Sequence, residues 1–133
     1  MIVKKFTELA GTKRQVQGNM FVSNRLLLEK DGMGFTLTDS RPEAGFEMDV
    51  HYKHHLEAVY VIDGEATIIN LETNESVELK PGVMICFDKN EKHRYKVHTP
   101  MRLICIFNPP LTGSELHRED GSYEPNLTAN QKG

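Results

Sequence analysis

The chain has 133 residues, 38% of them apolar and 26% charged, with a formal net charge of −3 and a sequence pI near 6.1. That composition excludes a disordered chain, is long enough for one sizeable core, and offers no basic surface to nucleic acid or an anionic membrane. No apolar run approaches the roughly 20 residues needed to span a bilayer, and Met1–Leu9 lacks the apolar core of a signal peptide, so the expected compartment is the cytoplasm.

The first 20 residues are polar and have room for a strand followed by a short helix. From Met33 onward, short runs rich in β-branched and aromatic residues alternate with turn signals. Strands are predicted at Gly34–Thr38, Glu47–Tyr52, Glu57–Ile62, Glu65–Asn70, Ser76–Leu79, Val83–Phe87, Arg94–Val97 and Met101–Phe107. Asp63-Gly64, Thr73-Asn74, Pro81-Gly82 and Thr99-Pro100 lie between them and favour turns. Cys86 and Cys105 each sit inside an apolar run and read as reduced core residues; two cysteines alone make no zinc framework. After Asn108-Pro109-Pro110 the sheet pattern stops, because proline donates nothing to a ladder. Residues 126–133 form a polar tail expected to fray. With no repeat and no linker, the expectation is a single all-β domain over residues 1–133, an antiparallel sandwich or small barrel.

The chemistry concentrates between His51 and Glu57, where seven residues carry three of the six histidines, one lysine and one glutamate. In an uninterrupted strand, His51, Lys53, His55 and Glu57 would share one face, a surface suited to metal binding or proton transfer. The plainer alternatives are a solvent-facing rim glutamate for Glu57, a turn cap for His93 and a satisfied core histidine for His55. Tyr52 falls on the opposite face of an ideal strand, so an inward role requires a bulge or bend.

A spacing narrows the architecture. Gly45 is followed by five residues, His51-Tyr52-Lys53, three residues, Glu57, six residues and Gly64; Pro81-Gly82 later leads to His93. This resembles the two motifs of the cupin jelly-roll barrel, with Lys53 where a second histidine ligand belongs. A protonated lysine has no lone pair for a metal.

The chain also resembles one cupin family over nearly its whole length, the ectoine synthases. The likeness rests on Met1–Leu9, Ser23–Leu28, Asp31–Phe35, the block Tyr52–Tyr60, Lys80-Pro81-Gly82, Phe107–His117 and Glu119–Tyr123. The resemblance implies a lyase that cyclises N-γ-acetyl-L-2,4-diaminobutyrate to ectoine with loss of water. It implies an iron centre held by Glu, Tyr and His, with Glu57 and His93 matching two ligands. It also implies catalytic roles for Tyr52, His55, Glu115 and His117. Substrate contacts are implied for Phe21, Arg25, Thr38, Ser40, Lys53, Cys105 and Phe107. Small cupins pair through their sheets, so a homodimer is expected, with Ile2–Phe6 as a candidate apolar pairing strand.

Three positions depart from the family. Ile85 stands where the tyrosine ligand is expected, Phe21 where a tryptophan is, and Ser40 where threonine is usual. His51, at the first cupin ligand position, offers one repair, a His51/Glu57/His93 set suited to Fe(II) or another divalent metal. The departures leave two alternatives beside ectoine synthesis: the same scaffold acting on another N-acyl amine, or a non-catalytic binder of a small ligand.

Overall fold

The computed structural model describes residues 1–114. Among them are ten strands in two antiparallel sheets that enclose the core between them, the all-β jelly-roll arrangement expected. The larger sheet takes β1 (Gln15–Gly18), β2 (Phe21–Leu27), β3 (Thr36–Pro42), β10 (Arg102–Asn108), β5 (Leu56–Asp63) and β8 (Met84–Phe87), in that spatial order. The smaller takes β4 (Glu47–Val50), β9 (His93–Val97), β6 (Ala66–Asn70) and β7 (Ser76–Leu79).

Period-2 alternation builds the core. Val59 and Val61 of β5, Leu103 of β10, Ile68 of β6 and Val97 of β9 are buried, while Tyr60, Ile62 and Arg94 between them are not. Each fully buried branched side chain contributes about 1.5–3 kcal/mol relative to exposure. The Asp63-Gly64 turn is set by geometry at Gly64, whose φ is +88° and whose missing Cβ leaves room for the backbone of Pro100 and Met101.

The N-terminal third differs from expectation. Ile2–Phe6 forms no strand; Ile2 and Val3 are exposed, and a short 3-10 helix at Phe6–Glu8 precedes β1, so helix and strand occur in the opposite order. Strand β2 escapes a pattern search because Ser23 and Arg25 take its inward positions. They face a cavity instead of a packed core, which inverts the usual apolar alternation. Elsewhere the predicted strands shift by a residue or two, except that β4 stops at Val50 and β3 runs on to Pro42.

Asp31, in a second 3-10 helix at Glu29–Asp31, ties this region together. Its carboxylate accepts both guanidinium nitrogens of Arg14 (2.9 and 3.0 Å), Lys4 Nζ (3.2 Å) and the Leu28 N–H (2.8 Å). Hydrogen bonds from Arg14, against the opposing effect of burial, hold this carboxyl well below the usual carboxylate range.

Candidate active site

Residues paired directly across neighbouring strands project to the same face of a sheet. The register of the larger sheet therefore lays three rows across its inner surface. One runs Thr36, Phe107, Glu57, Phe87; the next Arg25, Thr38, Cys105, Val59, Ile85; the third Ser23, Ser40, Leu103, Val61. Opposite them, Met48, Val50 and Tyr95 come from the smaller sheet. Together with Phe21, Phe46 and Tyr52, the row members Ser23, Arg25, Thr38, Ser40, Glu57, Leu103, Cys105 and Phe107 line a cavity of about 680 Å³, counted to its open mouth.

The polar side of the cavity is a ladder of hydroxyls next to a buried cation. Ser40 Oγ lies 3.1 Å from Ser23 Oγ and 3.0 Å from Thr38 Oγ1. Arg25 is buried, and its Nη1 donates to the Gly113 carbonyl at 3.1 Å. The chain after β10 is thereby drawn across this end of the cavity. Leu111 N–H donates to Thr36 Oγ1 at 2.7 Å, and the Leu111 side chain joins the lining.

Glu57 faces the cavity and is 6% exposed, which rules out the rim-glutamate alternative. Its Oε1 has no hydrogen-bond partner among the described residues. Burial pushes the carboxyl up to about 8, only partly opposed by the thiol of Cys105. The Cys105 thiol is itself raised by burial, so it acts as a neutral donor.

His93 is 1% exposed on the facing sheet. Its Nδ1 lies 2.8 Å from the Glu91 carbonyl oxygen, so Nδ1 carries the proton and Nε2 keeps its lone pair. Nε2 is buried and has no hydrogen-bond partner among the described residues. Burial pushes the imidazole down to about 4, against the stabilising pull of Glu91. Three aromatic rings surround it: Phe87 stacked at 3.6 Å, Tyr95 at 5.3 Å and Tyr52 at 6.4 Å between centroids. Phe87 is also the cross-strand neighbour of Glu57, so one ring touches the imidazole and adjoins the carboxyl.

The expected common face of His51, Lys53, His55 and Glu57 does not form. Strand β4 ends at Val50 and β5 begins at Leu56; between them the chain bends, with Lys53 N–H donating to the His51 carbonyl at 3.1 Å. Asn90 Nδ2 fixes the bend by donating to the carbonyls of Tyr52 (2.9 Å) and His55 (3.2 Å). The bend breaks strict alternation, so Tyr52, His55 and Glu57 are buried while Lys53 and His54 are exposed. This is the bend that an inward Tyr52 requires.

Phe21, Arg25, Thr38, Ser40, Tyr52, Glu57, Cys105 and Phe107 all line the one cavity. Lys53 does not. His55 is buried with its ring 6.4 Å from that of Phe107. Glu115 and His117 lie outside the described residues. His93 borders a second hollow of about 450 Å³, with Ile85, Cys86 and Phe87. Ser23, Phe46, Met48 and Tyr95 were not foreseen as cavity residues. Tyr95 had a legible signal, its two-residue spacing from His93 along a strand.

Glu57 Oε1 and His93 Nε2, a carboxyl oxygen and a neutral imidazole nitrogen, both buried and unpartnered among the described residues, fit a divalent metal. The His51/Glu57/His93 set is not assembled. Among the described residues no three His, Cys, Asp or Glu side chains converge on a point that would hold a metal. His51 sits half-buried on the bend and lines neither cavity. Ile85, where the family resemblance expects a tyrosine ligand, carries no donor atom.

Comparison with known proteins matches this geometry to a family. The L-ectoine synthase of Nocardia farcinica (strain IFM 10152) is 42% identical over 123 residues, covering 92% of this chain and 94% of that protein. The crystal structure of ectoine synthase from P. lautus superposes with a TM-score of 0.85 at 46% identity, covering 96% of this chain and 91% of that one. A cupin domain from an XRE family transcriptional regulator of Enterobacter cloacae shares the fold alone, with a TM-score of 0.57 at 20% identity over 69% of this chain and 99% of that one. The cupin barrel is therefore common ground; the ectoine synthase family model matches residues 1–127, and the chain belongs to the ectoine synthase family.

Proposed function

We propose that this chain is an L-ectoine synthase, a lyase that closes N-γ-acetyl-L-2,4-diaminobutyrate into ectoine. The observation that carries the reading is the cavity in a chain that the family matches over residues 1–127: a buried arginine and a hydroxyl ladder on one side, a buried carboxyl on the other. Arg25 and Glu57 stem from strands three places apart, about 14 Å at the usual strand spacing. With both side chains reaching inward, the space between them suits one small, folded amino acid.

In this reading Arg25 pairs with the substrate carboxylate through its planar fork. The hydroxyls of Ser23, Thr38 and Ser40 offer hydrogen bonds to the amide and amine. Phe21, Phe46 and Phe107 exclude water and hold the flexible chain bent. Orientation of this kind accounts for a large part of the rate in an intramolecular reaction. The α-amine nitrogen attacks the acetamide carbon and gives up protons as the C–N bond forms. The former carbonyl oxygen gains protons and leaves as water. Tyr52 and His55, with Glu115 and His117 from the segment beyond Ser114, are assigned these proton transfers. A divalent metal, Fe(II) by the family resemblance, would be held by Glu57 and His93 and would polarise the acetamide oxygen.

We assign the whole chain to one domain, working as a homodimer in the cytoplasm, where its product serves as a compatible solute under osmotic stress. The outward face of β10, β5 and β8 supports the dimer, because it exposes Ile106, Leu56, Tyr60, Ile62 and Met84 together. Among the described residues no helix is long and apolar enough to cross a membrane. A second reading, another N-acyl amine as substrate, is favoured by Ile85 and Phe21.

The test is an assay of anaerobically prepared, iron-loaded protein with N-γ-acetyl-L-2,4-diaminobutyrate, following ectoine by chromatography. Ectoine formed by the wild type and abolished by Glu57→Ala supports the reading. No product from folded, metal-bearing protein assigns a different substrate. Ectoine binding without turnover makes the chain a binder.

A further inference from the structure

We infer that Tyr95 supplies the third protein ligand of the metal centre, its phenolate oxygen joining Glu57 Oε1 and His93 Nε2. The inference rests on the reading above that Glu57 and His93 hold a metal.

Three observations place Tyr95 there. It lies two residues after His93 on β9, whose burial alternates strictly, so both side chains project inward from one strand. The ring centroids of His93 and Tyr95 are 5.3 Å apart. Tyr95 also lines the same cavity as Glu57, from the opposite sheet. Ile85, by contrast, occupies its row opposite Val59 as a hydrocarbon.

Charge balance selects a phenolate over another neutral donor. A dication bound by Glu57, His93 and a phenolate is electrically neutral overall. With a second neutral histidine the same site would carry one uncompensated positive charge, which is costly in a buried, mainly apolar cavity. Oxygen, oxygen and imidazole nitrogen form a donor set compatible with ferrous and ferric iron.

Tyr52 is the competing phenol. It lines the cavity too, but its ring lies farther from His93, at 6.4 Å, and comes from the bend after β4 rather than from the ligand strand.

A phenolate on ferric iron absorbs visible light by charge transfer from oxygen to metal, which a carboxylate or imidazole does not match. The experiment loads the full-length protein with Fe(II), removes unbound iron, measures iron content, then oxidises with ferricyanide and records the visible spectrum. Tyr95→Phe and Tyr52→Phe are treated in parallel, with circular dichroism as the folding control. The expected result is one iron per chain and a visible band in the wild type and in Tyr52→Phe. Tyr95→Phe should lose the band and bind Fe(II) at least about tenfold more weakly. A band that survives in Tyr95→Phe, or disappears in Tyr52→Phe, overturns the assignment while leaving Glu57 and His93 as ligands. Iron-bearing wild type with no band overturns it without any variant, so a misfolded Tyr95→Phe does not block the test. Wild type that binds no iron removes the metal reading itself.

Discussion

Phe87 lies flat against His93, with ring centroids 3.6 Å apart and planes 5° from parallel. The stack leaves the imidazole free to turn only within its own plane, and the Nδ1 contact with the Glu91 carbonyl stops that rotation. The lone pair on Nε2 is thus aimed before any ligand arrives.

Phe87→Ala should therefore cost about 3–5 kcal/mol in urea unfolding, as a buried aromatic ring is replaced by a cavity. Phe87→Leu should cost about 1 kcal/mol, because most of the volume returns. It should still weaken metal binding roughly tenfold by releasing the imidazole. Metal affinity equal to wild type in a stable Phe87→Leu protein would show that the stack does not orient His93.

Arg25→Lys keeps a positive charge in the cavity but removes the planar fork. Charge-assisted hydrogen bonds contribute about 1.5–3 kcal/mol, so KM should rise about 10- to 100-fold. The effect on kcat should be smaller, because Arg25 grips the substrate away from the reacting amide. Steady-state kinetics decide this, and a loss confined to kcat would assign Arg25 to the chemical step.

Asp31→Asn tests the ionic tie between Lys4, Arg14 and the β2–β3 connection. The folded carboxyl titrates below its ordinary 3.8, so in acid the unfolded chain binds more protons than the folded one. Its stabilisation is therefore fully present above that value and fades as the pH falls through and below it. The variant should be about 1–3 kcal/mol less stable at pH 7, and the gap should narrow steadily in unfolding experiments below pH 4. A gap independent of pH would mean that the carboxylate charge contributes nothing.

Gly64→Ala combines a left-handed backbone with a Cβ that has no room beside Pro100 and Met101. It should destabilise the fold by more than about 1 kcal/mol. Thermal unfolding of this variant, compared with Ala substituted at the open position Gly82, separates steric conflict from backbone strain.

Much of the fold is legible in short stretches of sequence. The alternation Glu57-Ala58-Val59-Tyr60-Val61-Ile62 is a strand whichever partner it meets, and Asp63-Gly64 turns wherever the strand ends. Cys105 and Phe107 lie two strands from Arg25 in the sheet but some eighty residues away in sequence, and as cavity residues they are legible only through the family resemblance. The segment His51–His55 was misjudged because its composition permits a strand. What bends it is Asn90, more than thirty residues away, holding the carbonyls of Tyr52 and His55. That distant pair of hydrogen bonds decides that Tyr52 faces inward and Lys53 outward.

Local sequence thus determined the β class, the turns, the end of the sheet at Pro109 and the membership suggested by the Tyr52–Tyr60 and Phe107–His117 blocks. Tertiary structure alone decided that Ser23 and Phe46 share a cavity with Glu57 and that His51 does not. The physical reason is that turn and strand preferences act over a few neighbouring residues. A site, by contrast, is fixed by register between strands distant in sequence, such as Glu57 opposite Phe87 and Arg25 opposite Thr38.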